Sequence, residues 1–159
     1  MTKNLQQLLV VAPALLLIIG SGSAHAGRDV EEAGVLVCVN DKWDEKEPEK
    51  GHKLVDYAGR CVKVPDDSAA AKMTETCVGK YEYLPDGSWK GSGTCTGTQK
   101  GGDTISTTWE EGSQLKENPY RATGGTGRFK GIGGGGTYQY DQLTDTLFGG
   151  RYNSKWQLP

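Results

Sequence analysis

The chain has 159 residues, 35% of them hydrophobic, with 24 glycines and a formal net charge of −2. So much glycine excludes a long helical protein, because each Gly costs roughly 1 kcal/mol at a helix position relative to Ala. No basic block interrupts the near-neutral charge, so neither nucleic acid nor an anionic membrane surface is an expected partner.

Lys3 precedes the apolar run Leu8 to Ile19, which passes into small residues ending in Ala24-His25-Ala26. That is the plan of an export signal with a small-residue cleavage site. The run falls short of the about 20 apolar residues of a membrane span. The reading is therefore a signal peptide over residues 1–26 and a single domain over residues 27–159, with no membrane span in the mature chain. The expected location is periplasmic or secreted, an oxidising compartment where disulfides form.

Every Trp, Tyr and Phe lies beyond residue 26, so rings can build a core where aliphatic residues are sparse. Gly34 to Asn40 is an apolar, β-branched run and reads as a strand. The charged stretch Asp41 to Lys50 reads as a solvated connection or a lid, with Gly51 as a turn signal. Leu54 to Val64 reads as a strand with a break at Gly59, and Pro65 to Ala71 as a loop or a single helical turn. Thr74 to Leu84 and Ser88 to Thr98 flank the turn Pro85-Asp86-Gly87. Asp103 to Glu110 alternates, with Ile105, Thr107 and Trp109 on one face. Tyr120 to Thr123, Gly136 to Asp141 and Thr146 to Trp156 complete about eight strands. No amphipathic helix interrupts them, and the pattern is that of an all-β antiparallel sandwich or barrel.

One hairpin carries its own register. Leu84 to Ser88 suits a three-residue loop with Gly87 in the left-handed position. Pairing Leu84 with Ser88 sets Glu82 opposite Lys90, Tyr83 opposite Trp89, Tyr81 opposite Gly91 and Cys77 opposite Cys95. A slip of one residue would destroy all of these pairings. The face bearing Cys77, Tyr81, Tyr83, Trp89 and Cys95 is thus the interior one.

The four cysteines, Cys38, Cys61, Cys77 and Cys95, allow three disulfide connectivities. The hairpin favours Cys77–Cys95, leaving Cys38–Cys61. The rival pairs Cys61 with Cys77 and Cys38 with Cys95. No C-x-x-C pair occurs and His52 is the one histidine beyond residue 26, so bridges are expected rather than a metal centre. No cofactor is expected either. Gly131 to Gly136 formally matches G-x-G-x-x-G, yet no apolar strand leads into it and no helix follows, so a dinucleotide site fails its context.

Thr123-Gly124-Gly125-Thr126-Gly127-Arg128-Phe129-Lys130-Gly131 resembles the T-G-G-[ST]-G-x-[FY]-x-G signature of the allene oxide cyclase and dirigent-like barrels. The similarity extends over about residues 75–156, through Pro85-Asp86-Gly87-Ser88, Gly93 and Gly102-Asp103. It implies an exported bacterial member of that superfamily, an eight-stranded antiparallel barrel around an apolar cavity. Plant members cyclise an allene oxide or steer phenoxy-radical coupling, and related bacterial barrels form polyketide rings. The shared motif is one of backbone, so it transfers the fold and leaves the catalytic residues unassigned. The four cysteines and the export signal depart from the plant cyclases.

Tyr57, Tyr81, Tyr83 and Trp89 are the expected cavity lining, though barrel interiors carry such residues as packing too. Asp56, Glu75, Glu110 and Glu111 are candidate carboxylates that nothing in the sequence marks as buried, and His52 sits in a charged loop. The resulting expectation is a barrel that binds a small hydrophobic molecule and cyclises or isomerises it. The alternative is a non-catalytic envelope or secreted barrel whose interior is filled by side chains.

Overall fold

The computed structural model describes residues 27–159, and the expected signal peptide lies outside them. Alternating in–out residues and tight turns fold this part of the chain into eight strands. They are β1 (Arg28–Glu49), β2 (His52–Pro65), β3 (Met73–Tyr83), β4 (Trp89–Gln99), β5 (Thr104–Gly112), β6 (Asn118–Gly125), β7 (Gly133–Gln142) and β8 (Leu147–Leu158). Each strand pairs antiparallel with the next, and β8 pairs with β1, closing the barrel. Closure removes the edges along the part of the wall where all eight strands pair. A 3-10 turn, Gly127–Phe129, is the one helical element among the described residues.

The β3–β4 hairpin has the expected register, with Glu82 opposite Lys90, Tyr83 opposite Trp89, Tyr81 opposite Gly91 and Cys77 opposite Cys95. The Leu84 amide donates to the Ser88 carbonyl at 2.8 Å and Gly87 takes φ 84°. The disulfides are Cys38–Cys61 and Cys77–Cys95, with Cα atoms 4.0 and 4.1 Å apart, so the rival connectivity is excluded. Both staple neighbouring strands across loops of sequence separation 23 and 18. Loops of that length give roughly 3 kcal/mol of stabilisation each in the chain-entropy account.

Three expectations are corrected. Asp41 to Lys50 is not a connection: residues up to Glu49 continue β1, paired with β2 as far as Glu49 opposite His52. β1 leaves β8 at Val39 opposite Leu147, so its last residues pair with β2 alone, while β2 stays paired with β3 as far as Lys53 opposite Tyr83. There β1 is an edge, and its charges and Pro48 discourage pairing with another chain. Gly59 does not break β2. The strand expected from Gly136 begins at Gly133, so the glycine run lies within β7. Carbonyls of Lys155, Tyr120 and Asn153 occupy the space that side chains at Gly134, Gly135 and Gly136 would need.

The signature segment seals one end of the barrel. Thr126 exchanges hydrogen bonds with Thr104, its amide donating to the Thr104 carbonyl at 2.8 Å and its Oγ1 accepting from the Thr104 amide at 3.0 Å. Gly127 then turns at φ 55°, where the Asp103 carboxylate fills the space of a Cβ, and the Arg128 amide donates to Asp103 at 3.3 Å. This swings Phe129 inward onto Ile105 and Ile132, with Met73, Trp156 and Leu158 around them. The motif's glycines and threonines therefore build a plug. The opposite end carries the β1–β2, β3–β4, β5–β6 and β7–β8 turns.

Candidate functional site

Above the plug the interior is open. A cavity of about 530 Å³ runs up the barrel between all the strands except the lower part of β8. Its deep level holds Leu36, Lys63, Glu75, Thr107 and Tyr120, and its mouth holds Trp43, Gln142, Asp145 and Phe148. Both disulfides lie in its wall. Tyr57, Tyr81, Tyr83 and Trp89, expected as lining, all face it. Tyr81 is their hub, with ring centroids 5.8 Å from Tyr57, 6.4 Å from Tyr83 and 6.1 Å from Trp89.

Glycines make room for these rings. Gly79 and Gly93 oppose each other on β3 and β4. The Trp109 indole lies against both, where a Cβ at either would collide with it. Gly91 gives the same clearance to Tyr81 across the hairpin.

At the upper level Glu111 projects from β5, only 6% exposed. It accepts three phenol hydrogen bonds, from Tyr81 at 3.0 Å, Tyr138 at 2.5 Å and Tyr140 at 2.5 Å. Burial, and then the charge of Glu111, raise the pKa of Tyr81, Tyr138 and Tyr140 well above the ordinary phenol range. Tyr57 is pushed up to about 12 by the same two causes in the same order. All these phenols are therefore O–H donors in neutral solution.

At the deep level Lys63 Nζ lies 3.0 Å from Glu75 Oε1, with side-chain exposures of 13% and 6%. Its ammonium also sits 4.3 Å from the Tyr120 ring centroid and 5.2 Å from that of Tyr152. Burial works against the charged lysine, but the attraction of Glu75 and Tyr120 outweighs it and the Lys63 pKa is raised. Tyr120 donates to the Asn153 carbonyl at 3.0 Å, and its oxygen meets Ser154 Oγ at 2.5 Å. With the phenol proton committed to Asn153, the serine is the donor of the second bond.

Of the four candidate carboxylates, Glu75 and Glu111 enter the cavity, and Asp56 and Glu110 do not. His52 stands at the start of β2, bonded across to Glu82 on β3 at 3.0 Å and away from the cavity. Lys63, Trp43, Trp109, Tyr138 and Tyr140 were missed as site residues. Cys61, Glu75 and Cys77 bring ligand-type atoms within 4.8 Å of one another. Both sulfurs are in disulfides and Glu75 is held by Lys63, so the trio offers no thiolate to a metal.

A closed eight-stranded meander with an open interior belongs to the class of barrels that can enclose one small ligand. Among solved structures, the chain is similar to the pterocarpan synthase dirigent protein GePTS1. They share 12% identity at a TM-score of 0.56, over 84% of this chain and 92% of that one. It is similar also to the pterocarpan synthase dirigent protein PsPTS1, at 12% identity and TM-score 0.54, over 82% of this chain and 96% of that one. The fold is thus the dirigent and allene oxide cyclase-like barrel, as the signature segment implied. No protein-family model and no curated protein matches the sequence. No helix among the described residues is long and apolar enough to cross a membrane.

Proposed function

We propose that the protein is an exported barrel that takes a small, largely apolar molecule into its cavity and cyclises or isomerises it there. The observation that carries this reading is the open cavity of about 530 Å³ with Glu111 held in its wall by three phenols. That volume falls within the about 300–1,000 Å³ of sites that enclose drug-sized ligands. Cyclisation and isomerisation move protons without net oxidation, so one carboxylate that takes and returns a proton is sufficient machinery. Glu111 Oε1 and Oε2 are that acceptor, and the phenols hold the carboxylate in place. The two dirigent proteins named above are pterocarpan synthases, which supports turnover over storage. Two disulfides support the periplasmic or secreted location.

The test is ligand-identifying mass spectrometry on protein recovered from its native envelope, followed by assay of wild type beside Glu111→Gln. A small molecule should leave the wild type on denaturation, and its conversion should fall about 10²–10⁴-fold in the variant, as for loss of a general base. A cavity that releases nothing, or a folded variant that converts the molecule at the wild-type rate, would overturn the proposal.

A further inference from the structure

The cavity carries a charge that its own side chains do not balance. Its charged lining residues are Lys63, Glu75, Glu111 and Asp145. Lys63 and Glu75 neutralise each other at 3.0 Å. Among the described residues, neither Glu111 nor Asp145 is ion-paired with a Lys, Arg or His. A buried carboxylate without a counter-charge is costly. Tyr81, Tyr138 and Tyr140 satisfy the hydrogen bonds of Glu111 but bring no positive charge. Each phenol oxygen keeps lone pairs after donating, and the half-buried rings of Tyr138 and Tyr140 line the cavity beside the carboxylate. Trp43 and Trp89 add further faces at the same end of the cavity. Ring faces gathered around an anion form the setting in which an ammonium group is held.

We propose that the ligand is an organic cation, a quaternary or protonated amine on an apolar skeleton, with its charged group against the Glu111, Tyr81, Tyr138 and Tyr140 cluster. This rests on the reading of the cavity as a ligand site and adds the ligand's chemical class. The deep level is already balanced by the Lys63–Glu75 pair, so the cationic group belongs at the level of Glu111, toward the mouth. Asp145, in the exposed β7–β8 turn, draws cations to that mouth.

Two probes of equal shape separate the possibilities: benzyltrimethylammonium and its neutral carbon analogue, neopentylbenzene. Trp43, Trp89 and Trp109 line the cavity, so tryptophan fluorescence reports both titrations. The cation should bind at least about tenfold more tightly than the neutral probe. Glu111→Gln should remove that preference, read as the ratio of the two affinities in the same variant. If Glu111→Gln does not fold, the wild-type comparison decides alone, and Asp145→Asn at the exposed turn should weaken only the cation. Equal affinity for the two probes would overturn the cationic ligand and leave the cavity as a binding site. No response to either probe would overturn both.

Discussion

Lys63 and Glu75 show how a charged pair survives inside a barrel. Each satisfies the other, and the ammonium gains two ring faces besides. Truncating one partner strands the other's charge. Lys63→Met should therefore destabilise the protein by about 3–5 kcal/mol, whereas Lys63→Met with Glu75→Leu should return to near the wild-type stability. Urea unfolding of the two single variants and the double variant measures this. Additive losses would show that the residues are not coupled. The alternation that marks Tyr57, Tyr81, Tyr83 and Trp89 as interior marks these two as well, since Lys63 is in phase with Cys61 and Glu75 with Cys77. Glu111 is likewise in phase with Trp109. What masks them is that Lys and Glu are almost never buried unless paired. The pairing depends on the β2–β3 register, with Cys61 opposite Glu75. The long Pro65 to Lys72 connection contains no turn that fixes that register, so the ion pair was not legible.

At the scale of elements, the contrast between the β3–β4 hairpin and the end of β1 is instructive. Pro85-Asp86-Gly87 sets one register, and every pairing in that hairpin follows from it. In β1 the phase breaks. Cys38 and Asn40 face inward, and regular alternation would turn Lys42 inward and Trp43 outward. A bulge between Asn40 and Lys42 absorbs Asp41 as an extra residue, so Trp43 faces Tyr57 inside. Asp41 instead binds Arg60 through two hydrogen bonds of 2.7 Å on the outer surface. Out-of-phase Trp43 amid charges looks like a connection, which is why the end of β1 was not legible as strand. The same register shows what a deletion would do. Removing Asp41 leaves Lys42 opposite Ala58 and Trp43 opposite Tyr57, with the in–out phase intact. The deletion should cost no more than about 1 kcal/mol, the scale of an exposed ion pair. Near-ultraviolet circular dichroism should keep the signature of Trp43 against Tyr81, whose centroids are 5.1 Å apart. Loss of that signature would mean that the bulge itself shapes the mouth.

For the whole molecule, the strand and turn pattern alone fits a sandwich as well as a barrel, and closure around an apolar cavity is legible only through the resemblance of the Thr123 to Gly131 segment, because side-chain size alone does not say whether rings meet. Closure concentrates the phenols. All seven tyrosines have raised pKa values, and burial is the first cause for each. An unfolded tyrosine loses its proton near 10.0, while in the fold Tyr57 holds its proton to about 12 and Tyr81, Tyr138 and Tyr140 are held still more firmly. Above the unfolded value the native state binds more protons than the unfolded one, so stability falls as pH rises. The contribution is fully present below pH 10 and is lost as pH climbs through the folded values. Lys63, also raised, acts in the same sense. Folded protein should therefore show almost no phenolate absorbance at pH 10, and the phenolate band should appear together with loss of the near-ultraviolet dichroism. A gradual phenolate titration near 10, with the dichroism unchanged, would mean that the rings meet water and that the cavity is not closed around them.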